Sequence, residues 1–162
     1  MADQIKLLIV DDEVKFLDSI SRRLEMRDFD VTKATNGAEA LEAAHNSCFD
    51  LALLDLKMPG LNGQQVLKIL KEEHKYLEVI ILTGHGSVDS AVECTKLGAF
   101  GYLPKPYKLE ELLDVLKQAY EARMRKKFER DAERMEKITQ LATGSSALGI
   151  LRELRRLDDE EK

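Results

Sequence analysis

Hydrophobic positions along the chain switch between two periods. Ile5–Val10, Leu51–Leu54 and Val79–Leu82 are short, almost wholly apolar runs, Phe29–Ala34 alternates more weakly, and Phe100–Leu103 is a fifth run. Continuous apolar strands are buried on both faces, which marks a parallel sheet covered by helices, and the alternating second run fits a strand near the sheet edge. Between the runs the period lengthens to that of a helix. One stripe is Phe16, Leu17, Ile20 and Leu24. Ala40, Leu41 and Ala44 follow Asn36-Gly37, and Val66, Leu67, Ile69 and Leu70 follow Asn62-Gly63. Val88, Ala91, Val92 and Leu97 lie between Ser87, a suitable N-cap, and Gly98, a suitable stop. Leu109, Leu112, Leu113 and Leu116 complete the set. Strand and helix thus alternate five times, which predicts an α/β fold with an open, doubly wound, five-stranded parallel sheet flanked by five helices.

The last helical pattern runs on. No Gly or Pro occurs between Lys108 and Thr143, and apolar residues recur at Leu109, Leu113, Leu116, Tyr120, Met124, Phe128, Ala132, Met135, Ile138 and Ala142. This predicts a helix to about residue 142, on the order of 50 Å long. The spacing is helical without being a clean heptad. The outer part of the stripe must meet another chain, fold back or stay half exposed. Thr143-Gly144-Ser145-Ser146 reads as a break, Ala147–Leu157 as a short amphipathic helix, and Asp158–Lys162 as a polar end. The expected organisation is a domain over 1–120 and a helical extension over 121–162.

Composition narrows the class. With 44% hydrophobic and 34% charged residues, 9 Gly and 3 Pro, the chain is globular and neither collagen-like nor low-complexity. No run approaches the ~18 apolar residues of a membrane span, and the N-terminus lacks a signal-peptide pattern. Cys48 and Cys94 have neither metal-ligand nor CxxC spacing, and read as reduced, half-buried thiols of a cytoplasmic protein. The net charge of −5 is uneven: residues 1–119 hold 14 basic and 20 acidic side chains, residues 120–162 hold 11 and 10. In the extension Arg123, Arg125, Lys126, Lys127 and Arg130 are interleaved with Glu121, Glu129, Asp131 and Glu133. That pattern favours a salt-bridged helix face over direct DNA contact, and no helix-turn-helix follows. His45 and His74 read as surface residues.

The polar residues that stand out sit at strand ends. Asp11 and Asp12 follow the first strand, Asp55 the third, Thr83 the fourth and Lys105 the fifth. In a doubly wound sheet those ends share one crevice. Acids at 11 and 12 alone could simply favour a helix N-terminus, but Asp55 and Lys105 also need a reason. Three carboxylates at close range call for a cation. Oxygen-only donors suit Mg²⁺, which binds one or two carboxylates and accepts phosphate oxygens. A lysine and a threonine hydroxyl beside them can meet the remaining oxygens of a phosphoryl group. One carboxylate is then the nucleophile of an aspartyl-phosphate, and Asp55 fits, alone on the central strand between the acid pair and Thr83. GxGxxG after the first strand and GxxxxGK are both absent, which removes dinucleotide and P-loop sites.

Four segments together carry a resemblance: Val10-Asp11-Asp12-Glu13, Leu54-Asp55-Leu56-Lys57-Met58-Pro59-Gly60, Leu82-Thr83-Gly84-His85-Gly86 and Tyr102-Leu103-Pro104-Lys105-Pro106-Tyr107. Residues 4–120 resemble the receiver domain of two-component response regulators. The resemblance implies sheet order 2-1-3-4-5 and phosphoryl transfer from a sensor histidine kinase to Asp55. It implies Mg²⁺ held by Asp12, Asp55 and the backbone carbonyl of Lys57, with Asp11 acting partly through water. Lys105 would pair with the phosphoryl group. Thr83 would hydrogen-bond it and move, Tyr102 would turn inward as the aromatic switch, and the bond to Pro106 would be cis. His85, beside the site, would either tune the phosphate lifetime or face solvent.

The function expected is phosphorelay signalling rather than turnover of a substrate, with at most slow autodephosphorylation. The output would be a partner or a homodimer, formed through the receiver face or the C-terminal helix. The alternative is a receiver and linker cut from a longer transcriptional activator with an ATPase output domain, which the Gly-His-Gly run and the long helix resemble. A magnesium-dependent phosphatase would need a general acid two residues after the nucleophile, where this chain has Lys57.

Overall fold

The computed structural model describes residues 4–58, 60, 62–84, 88–142 and 147–160. In chain order the elements are β1 (Ile5–Val10), α1 (Val14–Glu25), β2 (Phe29–Ala34), α2 (Gly37–Asn46), β3 (Leu51–Asp55), α3 (Gly63–Glu73), β4 (Glu78–Thr83), α4 (Val88–Lys96), β5 (Gly101–Pro104), α5 (Leu109–Ala142) and α6 (Ala147–Glu160). The strands form one parallel sheet in the order β2-β1-β3-β4-β5. The alternating run is an edge strand, as its pattern predicts.

Strand residues point alternately to two cores. Leu7, Ile9, Leu53 and Ile80 meet α1 and α5 through Leu17, Leu24, Leu112 and Leu116. Leu8, Val10, Leu54 and Ile81 meet α2, α3 and α4 through Ala40, Ala44, Val66, Leu67, Leu70 and Cys94. The eight strand side chains are all 0% exposed, each a burial of about 1.5–3 kcal/mol. The sheet is therefore a rigid floor for whatever stands at its ends.

Caps set the helix starts. Asn36 Oδ1 accepts the Glu39 N–H at 2.8 Å, and Glu39 reaches back to the Thr35 N–H at 2.9 Å. The Thr35 backbone and hydroxyl donors hold the exposed Glu39 carboxyl below its ordinary range. Asn62 and Gln65 form a reciprocal capping box. Gly98, after α4, has φ +107°, a left-handed conformation that suits glycine. The expected cap Ser87 and the expected break at 143–146 lie outside the described residues.

Three expectations need correction. The α5 residues turned to the sheet are Leu112, Leu116 and Ala119, while Leu113 and Tyr120 pack only at the margin. Small Ala119 is buried in the same row as Leu112 and Leu116, which a reading weighted to large side chains overlooks. Neither thiol is half-buried: Cys94 is buried on the inner face of α4, and Cys48 is exposed after α2. His74, at the end of α3, is partly buried, and its Nε2 is sealed without a hydrogen-bond partner.

Contacts divide the chain into two compact units, residues 1–123 and 124–162. In the first, Arg123 donates to Asp50 Oδ1 at 3.1 Å and to the Tyr76 carbonyl at 2.6 Å. In the second, Arg134 of α5 donates to Asp158 of α6 at 2.6 Å, and Leu157 is 4% exposed. Helix α6 continues to Glu160, three residues past the expected end. Among the described residues, no helix is long and apolar enough to cross a membrane.

Candidate functional site

The strand register brings the predicted residues to one rim. Val10 pairs with Leu54, Asp55 with Leu82, and Thr83 with Pro104, so the ends of β1, β3, β4 and β5 are level. The Asp11 N–H donates to the Ala34 carbonyl at 3.1 Å, which carries the β1–β2 pairing one residue beyond the strand. Asp11 is thereby anchored, and it is 0% exposed. Asp12, next in the chain, is turned out to solvent. Asp55 closes β3 at 6% exposure.

Carboxylate oxygens of Asp11, Asp12 and Asp55 all lie within 4.8 Å of one another. Lys105 Nζ donates to Asp11 Oδ2 at 3.0 Å and to Asp55 Oδ2 at 3.5 Å. Backbone amides hold the remaining oxygens of the buried acids. The Glu13 N–H meets Asp11 Oδ1 at 2.9 Å, and the Lys57 N–H meets Asp55 Oδ1 at 3.0 Å. The Lys105–Pro106 peptide bond is cis.

Burial pushes the Asp55 carboxyl above its ordinary value, and the Asp11 charge adds to this. The Lys57 N–H and the Lys105 ammonium oppose it without cancelling it. Burial pulls Lys105 down, but its bond to Asp11 and the charges of Asp55, Asp11 and Glu13 carry it above its ordinary value. Among the described residues, the site is therefore a cluster of two buried acids and one exposed acid with Lys105 bound to the buried pair.

Residues not singled out as site members in the sequence support the cluster. Lys105 Nζ sits 4.8 Å from the centre of the Phe16 ring. Phe16 packs edge-on against Tyr107 at 6.1 Å. The Tyr107 hydroxyl is buried without a partner. Burial, followed by the charges of Asp11 and Asp55, drives it well above the ordinary phenol range. On the other side, a Cβ at Gly63 would meet Leu56 Cα at 2.7 Å and the Asp55 carbonyl oxygen at 3.0 Å. Only glycine lets the start of α3 sit directly against the segment after Asp55. The available signals were Phe16 one helical turn after Asp12, and an Asn-Gly pair eight residues past Asp55.

Tyr102 lies on edge strand β5 and is 41% exposed. The Thr83 backbone reaches the rim, but its side chain, and all of His85, lie outside the described residues.

The chain resembles known proteins over most of its length. Residues 7–117 match the family described as the response regulator receiver domain. The DNA-binding transcriptional regulator NtrC of Escherichia coli K12 is 39% identical over 111 residues, which cover 68% of this chain and 24% of NtrC. The uncharacterized transcriptional regulatory protein YkoG of Bacillus subtilis is 38% identical over 113 residues, covering 70% of this chain and 50% of YkoG. The chain thus spans a quarter to a half of the length of these two curated relatives. A receiver domain crystal structure from Clostridium thermocellum superimposes with TM-score 0.71 at 36% identity, covering 76% of this chain and 98% of that one. The receiver domain of NtrX from Brucella abortus does so with TM-score 0.68 at 32% identity, covering 71% and 98%. From the acids at the ends of β1 and β3 to the order of the sheet, the chain belongs to the response regulator receiver family.

Proposed function

We propose that this chain accepts a phosphoryl group on Asp55 from a sensor histidine kinase, in a Mg²⁺-dependent reaction, and thereby switches an interaction surface. The observation that carries the reading is the clustering of Asp11, Asp12 and Asp55 oxygens within 4.8 Å, with Lys105 on the two buried acids. Oxygen-only donors, an excess of negative charge and the burial cost on Asp55 all suit a hard divalent cation. Asp12, Asp55 and the Lys57 carbonyl would hold it, with Asp11 partly through water. When bound it would neutralise phosphoryl oxygens.

The residues divide the remaining work. One Asp55 oxygen attacks phosphorus, an O–P bond forms, and the P–N bond of the phosphohistidine breaks with its electron pair left on the imidazole. The Lys57 N–H fixes the other Asp55 oxygen and so orients the carboxylate. Lys105 follows the charge from the carboxylates to the new phosphoryl oxygens. As the resemblance to receiver domains implies, Thr83 would be a donor and switch and Tyr102 the aromatic switch; the place of Thr83 at the end of β4 and the exposure of Tyr102 on β5 support this. Slow autodephosphorylation in the cytoplasm would end the signal.

The output is assigned to a homodimer, through the receiver face or the C-terminal helix, with residues 1–120 as receiver and 121–162 as helical extension. A second reading, a receiver and linker of a longer activator, is favoured by one observation: NtrC is about four times the length that this chain matches. The length of the encoded reading frame separates the two. For the main reading, wild-type chain treated with acetyl phosphate and Mg²⁺ should gain a phosphoryl group by intact-mass measurement, and Asp55→Asn should not. Uptake that persists in Asp55→Asn would move the acceptor elsewhere and end this assignment.

A further inference from the structure

We propose that Phe16 is a positioning residue for phosphoryl transfer: the face of its ring holds the Lys105 ammonium at the acid cluster. The inference rests on the phosphoryl reading above and deepens it, by assigning a task at the site to a side chain that carries no charge.

Lys105 Nζ lies 3.0 Å from Asp11 Oδ2, 3.5 Å from Asp55 Oδ2 and 4.8 Å from the centre of the Phe16 ring. The bond to the proposed phosphoryl acceptor is the long one. The other two holds come from one short stretch of chain, because Asp11 directly follows β1 and Phe16 stands in the first turn of α1. Phosphoryl transfer removes the charge of the Asp55 carboxylate and places new charge on the phosphoryl oxygens. Asp11 and Phe16 are then what keeps the ammonium within reach of those oxygens. The ring is itself held. Tyr107, two residues past Lys105, meets it at 6.1 Å between centroids and 81° between planes, the edge-to-face arrangement that aromatic pairs favour. The connection between β5 and α5 thus carries both the cation and the side chain that steadies its seat.

The residue type matters as much as the place. The face of an aromatic ring attracts a cation through its quadrupole and bears no net charge. A carboxylate at position 16 would attract Lys105 more strongly, but it would add negative charge to a site that must admit an anionic phosphodonor. An aliphatic side chain would fill similar space and leave the flexible four-carbon stem of Lys105 free to swing. The Lys105 side chain is 24% exposed, so solvent competes for the ammonium on its open side. Phe16 packs at the margin of the core formed by the sheet, α1 and α5 rather than inside it. A leucine there can therefore keep the apolar contact while losing the ring face.

The test uses the full chain with Mg²⁺ and acetyl phosphate, a donor small enough to keep contacts with a partner protein out of the readout. Phosphoryl uptake is followed by intact mass over a series of donor concentrations. Phe16→Leu should lower the maximal rate by about three- to tenfold, the loss of one partly desolvated cation–π contact, with the half-saturating donor concentration little changed. Trifluorophenylalanine at position 16 keeps the ring but drains its negative face, and it should slow uptake as well. In a Lys105→Ala background neither change should slow uptake further. A Phe16→Leu chain as fast as the wild type overturns the inference. So does a fluorinated chain as fast as the wild type, because the ring would then act by shape alone, or a Phe16→Leu effect undiminished without Lys105. Each of these results leaves the Asp55 reading standing. A wild type that takes up no phosphoryl group ends that reading, and this inference with it.

Discussion

Replacing Asp55 by Asn should stabilise the protein without Mg²⁺ and reverse the order with it. Two electrostatic contributions to Asp55 partly offset each other. At an effective dielectric of about 20, Lys105 at 3.5 Å attracts its carboxylate by roughly 5 kcal/mol, and Asp11 within 4.8 Å repels it by roughly 3 kcal/mol or more. What remains is the cost of burying a charge at 6% exposure. An amide keeps the Lys57 N–H bond and avoids most of that cost, so the variant should gain about 1–2 kcal/mol. For a chain of this size each kcal/mol is worth roughly 2–4 °C in the melting midpoint. The pH dependence follows from the raised Asp55 carboxyl. Its penalty is present where the carboxylate is ionised, above its folded value. It fades as pH falls below the ordinary range near about 4, where folded and unfolded chains are both protonated. The advantage of Asp55→Asn should therefore be full at neutral pH and vanish in acid. With Mg²⁺ at about 100 times its dissociation constant the wild type should gain about 2.7 kcal/mol, and the variant, with one ligand weakened, much less. The assay is a set of thermal melts of both proteins at neutral and acid pH, with and without Mg²⁺. A less stable apo variant, or an equal Mg²⁺ gain in both proteins, would refute the charge-crowded site.

Three other changes probe how the site and the fold are held. Gly63→Ala should cost about 1–3 kcal/mol by forcing its Cβ onto Leu56 and the Asp55 carbonyl, and acetyl-phosphate uptake should slow with it; unchanged uptake and midpoint would deny that close approach any role. Asn62→Ala should cost about 1 kcal/mol through loss of the capping box, readable as a shifted urea midpoint. Arg123→Ala removes bonds to Asp50 and to the Tyr76 carbonyl; a loss of about 1–2 kcal/mol is expected, with Asp50→Ala, which also removes the bond from the Lys6 N–H, costing less in that background than in the wild type, and full additivity in that double-mutant cycle would show the pair to be uncoupled.

Much of the fold was legible because parallel strands covered on both faces have little choice of composition. Val79–Leu82 admits no solvent-facing reading, and the alternating Phe29–Ala34 run could stand only near an edge. The acids after β1 and β3 were legible for a related reason: charged side chains directly after buried strands have few structural uses. The supports of the site were not. Phe16 looks like any apolar helix residue until the fold places its ring 4.8 Å from Lys105 Nζ. Arg123 looked like one more charge on a solvated face, yet it ties the middle of α5 to Asp50, 73 residues earlier.

Local period and residue type, which act over a few neighbours, determined by themselves the number and kind of elements and the five residues at the strand ends, and four motifs at those ends carried the resemblance to the family. Tertiary structure decided which face of α5 is buried, with Ala119 beside Leu112 and Leu116, because that depends on what packs against the helix. It also decided the inequality among the carboxylates, with Asp11 sealed, Asp55 nearly so and Asp12 open. Burial is a property of everything packed around a side chain, and no local pattern contains it. That inequality leaves the Asp12 side of the cluster open to solvent.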